Sequence, residues 1–372
     1  MSLPAHIAAK LFERKQTNAF RTLNIHEGID FYSNDYLGQA RSTIIFEEAH
    51  ELVSKLKIKN GATGSRLISG ENTLTRQAED YLASFYKSDS SLLFNSGYVA
   101  NLGLLSTIPQ RNETIIYDEL VHASIREGLR LSQAKSQKFK HNNYNDLETK
   151  LKKIEGIIYV VVESVYSMDG DQCDLEKILY LCEKYKAYLI IDEAHGLGVV
   201  GKEKKGLSYN VDHPFLLARV VTFGKAIGCH GATVLGRTDL KDYLINFCKP
   251  FIYTTGLSPH SVATIMASHQ SFSPTETNKL YENIQYFKKV VEEYKLAHQF
   301  LASTTAIQGL LVGSNDKTKK LSNSLQELGF AVKPILSPTV SVGTERIRIC
   351  LHSFNTKEEI KELILRISEY LN

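Results

Sequence analysis

The sequence predicts an α/β protein: a large domain on a mainly parallel sheet, followed by a smaller C-terminal α+β domain. Two observations carry this. Short apolar runs at 91–94, 114–117, 157–162, 188–191, 216–221 and 231–235 alternate with polar helical stretches. That pattern marks strands buried on both faces by connecting helices. The second observation concerns the residues at the end of each run. Asn95-Ser96-Gly97, Asp118 with His122, Glu163 with Ser167, Asp192 with His195, and Thr222 with Lys225 come just after five consecutive strands. Ligands of open parallel sheets gather at the carboxyl ends of strands. The expected organisation is an N-terminal arm over 1–40, a large domain over 41–275 and a small domain over 276–372.

Residues 5–20 have helical periodicity, with Ile7, Leu11, Phe12 and Phe20 on one side and Lys10, Arg14 and Lys15 on the other. The arm is expected to pack this stripe on its own domain. A short strand running into a turn is expected over 31–38, then helices over 43–57 and 73–87. The stretch between them, with Gly61, Gly64 and Gly70 among hydroxyl and amide side chains, reads as a surface loop. Residues 258–300 read as one or two long helices. Strands at 310–313, 331–336 and 346–351, with helices at 316–328 and 356–371, complete the second domain.

The 372 residues suffice for a large core, and 43% hydrophobic with 23% charged residues is an ordinary globular balance. A net charge of +3 gives no argument for a nucleic-acid surface. The five cysteines show no CxxC and no metal-ligand spacing, so a reduced cytoplasmic protein without a metal site is expected. The first sixteen residues hold no long apolar stretch and do not read as a signal peptide. No window approaches 18 apolar residues, so no membrane span is expected.

The chemistry concentrates in a few strings. Asn95-Ser96-Gly97-Tyr98 follows a strand and opens a helix, where free N–H groups and a glycine suit a phosphate. His122 offers a flat ring that stacks on a heteroaromatic group, and Ser167 offers a hydroxyl to a phenolic oxygen. Asp192 ends a buried strand, where a carboxylate needs a cationic partner. A protonated pyridinium nitrogen is such a partner, and pyridoxal phosphate carries one. Lys225 follows the next strand, 33 residues on. A confined lysine loses part of its ammonium preference and forms Schiff bases with aldehydes. Asp192 and Lys225 together point to pyridoxal phosphate. The Asp169-Gly170-Asp171 stretch lacks the spaced oxygens of a calcium loop and reads as a turn.

The strings SNDYLG (33–38), NSGYVAN (95–101), VHAS (121–124), SVYSMDGD (164–171), DEAHGLGVVG (192–201) and TFGKAIG (222–228) closely resemble the α-oxoamine synthases. They do so in order over almost the whole chain. These enzymes use pyridoxal phosphate to condense an amino acid with an acyl thioester, losing carbon dioxide. The resemblance implies a type I aminotransferase-like fold and a cytoplasmic homodimer with shared active sites. It implies that Lys225 holds the cofactor and then acts as base, that Asp192 meets the pyridine nitrogen, and that His122 stacks on the ring. Ser167 and His195 would address the phenolic oxygen. Gly97, Tyr98 and Thr222 would cradle the phosphate, and Thr254 and Thr255 would reach a phosphate across the dimer interface. Arg21, Asn34, Thr339 and Arg348 would line the substrate paths. Within the family, the compact length and the Ala19-Phe20-Arg21 arm most resemble the members that condense L-alanine with a pimeloyl thioester, and that resemblance implies these substrates, the thioester carried on coenzyme A or a carrier protein. Glycine or serine with another acyl chain is the alternative within the family. A non-catalytic scaffold on the same fold is the alternative outside it, and the presence of both Lys225 and Asp192 speaks against it.

One departure stands out. The family places an arginine before its Pro-Pro-Thr-Val-type turn to bind the amino-acid carboxylate. Here the turn reads Leu336-Ser337-Pro338-Thr339-Val340. Arg346, Arg348 and Lys333 are the candidates to replace it, and Arg346 and Arg348 share one face of a strand.

Overall fold

The computed structural model describes residues 3–23, 25 and 27–371. Their contacts divide the chain into two compact units. The larger holds residues 35–167 and 172–277, and the smaller holds 1–34, 168–171 and 278–372. Thus the described residues up to Asn34 group with the C-terminal part, as does the short Met168–Asp171 turn.

In chain order the elements are α1 (Ala5–Gln16), β1 (Ile29–Asp30), α2 (Thr43–Leu56), α3 (Thr73–Phe85), β2 (Ser90–Phe94), α4 (Gly97–Thr107) and β3 (Thr114–Asp118). Then come α5 (Ala123–Leu131), β4 (Lys135–Phe139), α6 (Tyr144–Leu151), β5 (Ile158–Glu163), α7 (Leu175–Tyr185), β6 (Ala187–Asp192), β7 (Leu216–Thr222) and β8 (Ala232–Gly236). Helices α8 (Thr238–Phe247), α9 (Lys249–Ile252), α10 (Pro259–Gln270) and α11 (Pro274–Glu293) follow. The chain closes with β9 (Ile307–Leu311), α12 (Asn315–Glu327), β10 (Phe330–Ala331), β11 (Lys333–Ile335), β12 (Arg346–Cys350) and α13 (Lys357–Leu371).

The large unit is a seven-stranded sheet in the order β2-β8-β7-β6-β5-β3-β4. Only β8 runs antiparallel to its neighbours, pairing so with both β2 and β7. Alternation across the pleat explains the unbroken apolar strands. In β5, Ile158, Val160 and Val162 join one core cluster, while Tyr159 and Val161 join the other. In β6, Leu189 and Ile191 face one way and Ile190 the other. Each such fully buried side chain is worth about 1.5–3 kcal/mol of transfer from water. Strand β4 escapes the sequence pattern. Its residues Lys135–Gln137 are polar and exposed because it is the edge strand, and lysines there block further pairing.

The small unit pairs β11, β12 and β9 in an antiparallel sheet, and β1 with β10 in parallel. Helix α13 buries Ile360, Leu363, Ile364 and Ile367, the 3.6-residue stripe that its sequence shows. Helix α1 departs from expectation. It forms, but none of its residues is buried, and Ile7, Leu11 and Phe12 remain exposed. The periodicity sets which side of a helix is apolar, not whether the same domain covers it. The arm is fixed further on, at Asn18. Its side chain donates to Asp316 Oδ1 (2.9 Å) and accepts from Lys319 Nζ (2.6 Å).

The glycine-rich stretch before α3 is also more ordered than a surface loop. Arg66–Gly70 forms one π-turn. The Arg66 guanidinium, 11% exposed, ion-pairs with Glu71 (2.6 Å) and with buried Glu79. Glu79 also accepts from the outward-facing Leu93 N–H of edge strand β2 (2.8 Å) and from Lys241 (2.8 Å).

Candidate active site

In the large unit the expected cofactor residues lie at the carboxyl ends of the strands. Strand β2 ends at Phe94, and Ser96 caps α4 by accepting from Val99 N–H (3.2 Å). The N–H groups of Gly97 and Tyr98 make no hydrogen bond among the described residues. A Cβ on Gly97 would lie 3.2 Å from Thr222 Cβ and 3.3 Å from its hydroxyl. Thr222, the last residue of β7, therefore stands directly across from the start of α4, and the missing side chain of Gly97 leaves the gap open.

Lys225 sits in the loop that joins β7 to β8. Gly228 N–H donates to Lys225 C=O (2.8 Å), Cys229 N–H to Phe223 C=O (2.8 Å), and Phe223 N–H to Gly231 C=O (2.9 Å). Gly228 has φ +63°, and a Cβ there would collide with the Ala40 backbone. The loop closes this tightly only with glycine. His269 buttresses it from below. Its ring meets Phe223 edge to face at 5.0 Å, donates from Nδ1 to Ile265 C=O (2.7 Å) and accepts from Tyr86 Oη (2.9 Å). Complete burial pushes its pKa down to about 4.

Asp192 ends β6 and is buried. Its donors are neutral: Asn101 Nδ2 to Oδ2 (2.7 Å) and Ala194 N–H to Oδ1 (2.8 Å). Asn101 also donates to Ser124 Oγ (3.0 Å), which lies 2.8 Å from His122 Nδ1. Because Ser124 N–H donates to that same Nδ1 (3.2 Å), the ring holds its proton on Nε2. Asp192, Asn101, Ser124 and His122 thus form one hydrogen-bonded chain. Burial holds the His122 imidazole below its ordinary pKa, against the pull of Asp192, with Lys225 and Arg126 pushing the same way as burial. Glu163, opposite Asp192 in the sheet register, accepts the His122 N–H. Burial pushes its carboxyl well above the usual range, and Asp192 adds to the rise. Lys225 acts electrostatically on both His122 and Glu163, so these groups share one neighbourhood.

The other expected residues of this unit are placed as follows. Buried His195 has Nδ1 2.7 Å from the hydroxyl of buried Tyr36. Ser167 is half-buried in the turn after β5. Thr254 and Thr255 follow α9, where Asn95 Nδ2 donates to Thr255 C=O (2.9 Å) and Gly256 N–H donates to Gly64 C=O (3.0 Å).

Three features fit pyridoxal phosphate. A buried carboxylate with only neutral donors suits a protonated ring nitrogen. Two unengaged N–H groups at a helix start, opposite a threonine hydroxyl, suit a phosphate. A neutral imidazole on the same network suits a ring face. Among the described residues no cluster of three or more His, Cys, Asp or Glu could hold a metal ion, and no helix is long and apolar enough to cross a membrane.

The expected substrate residues lie in the small unit, in two separate pairs. Arg348, on β12, donates from Nη2 to Asn34 Oδ1 (2.9 Å). Arg21 donates to Thr339 Oγ1 (3.3 Å). Arg346, two residues from Arg348, instead ion-pairs with Asp169 and donates to Thr344 C=O (2.9 Å). At Leu336 the backbone carbonyl closes the turn by accepting Thr339 N–H (2.8 Å). Lys333 is exposed, on β11.

Sequence reasoning gives no role to Asn101, Ser124 or Tyr36, and names Glu163 only as a strand-end residue. Asn101 carries a signal: it is a lone amide inside the apolar helix α4, where a buried polar group requires partners.

A model of the family described as aminotransferase class I and II matches residues 26–367. An 8-amino-7-oxononanoate synthase of Emericella nidulans is 34% identical, the alignment covering 92% of this chain and 89% of that protein. One of Buchnera aphidicola is 36% identical, covering 97% and 95%. Among solved structures, 8-amino-7-oxononanoate synthase from Francisella tularensis matches with TM-score 0.79 at 28% identity, covering 92% of this chain and 98% of that one. A serine palmitoyltransferase from Sphingomonas wittichii matches in fold with TM-score 0.91 at 24% identity, covering 99% and 98%. The chain belongs to the class I and II aminotransferase family, in its α-oxoamine synthase branch.

Proposed function

We propose that this protein joins L-alanine to a pimeloyl thioester, giving 8-amino-7-oxononanoate, carbon dioxide and the free thiol, a step of biotin biosynthesis. The observation that carries the reading is the run of curated relatives with that name, 34% and 36% identical over about nine-tenths of the chain or more. The geometry of the strand ends supports it. Pyridoxal phosphate, when bound, supplies a protonated ring that draws electrons from the amino-acid Cα.

The chain's own residues do the rest. Asp192 holds the ring nitrogen's proton. Gly97 and Tyr98 N–H groups, with Thr222, bind the phosphate. Neutral His122 covers the ring face, and its orientation is fixed through Ser124, Asn101 and Glu163. Ser167 and His195 bind the phenolic oxygen, with Tyr36 orienting His195. Lys225 Nζ anchors the cofactor and then removes the alanine Cα proton, which requires an unprotonated amine. Arg348, oriented by Asn34, binds the alanine carboxylate in place of an arginine at Leu336. Arg346 is engaged by Asp169 and is left out of this role. Arg21 and Thr339 line the acyl path. The active form is a cytoplasmic homodimer in which Thr254 and Thr255 reach the partner's phosphate.

The test assays alanine, glycine and serine against a panel of acyl thioesters, with product identified by mass. The expected product appears with alanine and the pimeloyl thioester. Turnover with glycine or serine alone would move the protein to another α-oxoamine synthase activity, and no bound cofactor would end every enzymatic reading. Arg348→Ala is expected to raise the KM for alanine. Unchanged alanine binding would remove Arg348 from the role.

A further inference from the structure

Just past β12, the small unit buries a histidine that has no part in the chemistry described above. The His352 ring is fully buried and stacks on Phe354, with centroids 4.6 Å apart and planes at 13°. Nδ1 lies 3.1 Å from Asn355 Oδ1. That oxygen is turned towards the ring: it also accepts the His352 backbone N–H (2.9 Å), while Asn355 Nδ2 donates to Asp30 C=O (3.1 Å). On the other side of the ring, Nε2 lies 3.1 Å from Ser33 C=O and 3.2 Å from Ser33 Oγ. The Ser33 hydroxyl bonds the Asp30 carboxylate, whose Oδ1 also accepts the N–H groups of Tyr32 (3.1 Å) and Ser33 (2.9 Å). A carboxylate only accepts, so the hydroxyl proton points to Asp30 and the lone pairs of Oγ are left for Nε2. Both ring nitrogens therefore face acceptor oxygens. The ring satisfies them only with a proton on each nitrogen, as a cation with Asp30 as its counter-charge. Burial raises the Asp30 pKa, but the Ser33 N–H, the charge on His352 and the Ser33 hydroxyl bring it below the ordinary carboxylate value.

The carbonyl that His352 meets belongs to the peptide bond joining Ser33 to Asn34. Asn34 Oδ1 in turn accepts from Arg348 Nη2 (2.9 Å). We propose that His352 is a positioning residue for the amino-acid substrate: as an imidazolium it fixes the Ser33–Asn34 peptide, and through Asn34 it sets the guanidinium of Arg348. The inference rests on the carboxylate role proposed for Arg348. A guanidinium binds a carboxylate best when its planar fork is set in advance, and Arg348 reaches its place at the end of a long side chain. The segment that carries the imidazole is itself pinned, because Asn283 Nδ2 donates to the carbonyls of His352 (2.9 Å) and Asn355 (2.7 Å). Asp30 on β1 and Arg348 on β12 are the charged groups that these contacts bring towards the ring. Asp30 favours its second proton and Arg348 opposes it. A neutral ring would set a lone pair against an oxygen and loosen its hold on Ser33.

Two measurements on the cofactor-loaded protein test this. The first is nitrogen NMR of protein labelled with ¹⁵N-histidine, the His352 signals being assigned by their absence in His352→Gln. Both ring nitrogens should be protonated at about pH 7.5, above the ordinary histidine pKa of about 6.5. The second is steady-state kinetics. His352→Gln should raise KM for alanine about tenfold, as a lost charge-assisted hydrogen bond does. Its kcat and its KM for the thioester should stay within about twofold of the parent, the split expected of lost ground-state binding. Asp30→Asn removes the counter-charge at nearly constant volume, so it should give the same shift in KM, and it decides the kinetics if circular dichroism shows that His352→Gln does not fold. A neutral ring at that pH would overturn the inference. So would a parent-like KM for alanine in the folded variants while Arg348→Ala raises it, an outcome that leaves Arg348 its role. An equal loss in kcat and in both KM values would mark His352 as part of the general framework and overturn the inference as well. A parent-like KM in Arg348→Ala would instead discard the carboxylate role of Arg348, and the positioning role would fall with it.

Discussion

In the large unit, charge is buried and answered from within the chain, whereas in the cleft of the small unit it is exposed and left over. Asp192 lies under two neutral donors, Asn101 reaches on to Ser124 and His122, and Glu163 holds the His122 backbone. In the small unit arm residues 14–23, helix α12 and the stretch from β11 to Thr339 surround a cleft of about 770 Å³, where Arg14, Arg21, Lys319, Lys320 and Lys333 face one carboxylate, Asp316, itself bonded to Asn18. The difference teaches what each region is built for. A buried polar network fixes geometry, because each lost partner strands another group without water. A wet rim of cations fixes little and gains its energy when an anion arrives. Substitutions in the first region should therefore be severe and felt beyond their own site. Those in the second should be mild for folding and visible mainly in binding.

Lys225→Ala should have the largest effect. Loss of the only amine assigned to the Cα proton should lower turnover by about 10⁴-fold, the upper range for a positioned acid–base group. The visible absorbance of the lysine-bound cofactor should vanish with it. A variant that keeps both would show that Lys225 is not the anchoring residue. Asp192→Ala should come next, with cofactor affinity down about 10²–10³-fold, the range for breaking one side of a buried pair. Affinity within a few-fold of the parent would mean the ring nitrogen is held elsewhere.

The acid response of the large unit sharpens the same contrast through stability. Fully buried His269 has its pKa lowered from 6.5 to about 4. The unfolded chain therefore takes up this proton first as pH falls. The stability is fully present above pH 6.5 and is lost as pH drops towards 4, by on the order of 3 kcal/mol. His269→Gln removes the titrating group, so its urea midpoint should decline less than the parent's between pH 7 and pH 4.5. Parallel declines would show that other groups govern the acid limit.

Asn101→Leu asks whether the network is a unit. The leucine keeps volume but deprives Asp192 and Ser124 of one donor each, for an expected loss of about 1–3 kcal/mol of stability. Since Ser124 then no longer orients the imidazole, cofactor affinity should fall as well. An effect on stability alone would separate Asn101 from the ring face.

The same contrast explains what is legible in the sequence. Lys225, Asp192 and His122 are visible because each comes after an apolar run that is a strand, and a strand end fixes where its next residues emerge. Asn101 and Ser124 act through partners over 20 and 90 residues away, a relation that no local period encodes. Strand β4 is hidden because an edge strand wants lysine where a central one wants valine. The α1 stripe is legible as a helix, but its burial is not, since the pattern carries no information about a covering surface. Arg346 and Arg348 are inseparable by alternation on one strand. Only the fold sends one to Asp169 and the other to Asn34.

Arg21→Ala should produce the smallest change in stability. Its guanidinium is exposed and, among the described residues, makes one hydrogen bond, to an exposed threonine, at 3.3 Å. Water replaces such a contact at little cost, so the unfolding midpoint should move by no more than about 0.5 kcal/mol. Binding should respond more than folding, because removing one of the five cleft cations lowers the local potential without stranding a partner. A few-fold rise in KM for the thioester, with kcat kept, is the expected split. If Arg21→Ala instead unfolded the protein as Asn101→Leu is expected to, the cleft would be part of the packed framework, and its cations could not be counted as charge held ready for a ligand.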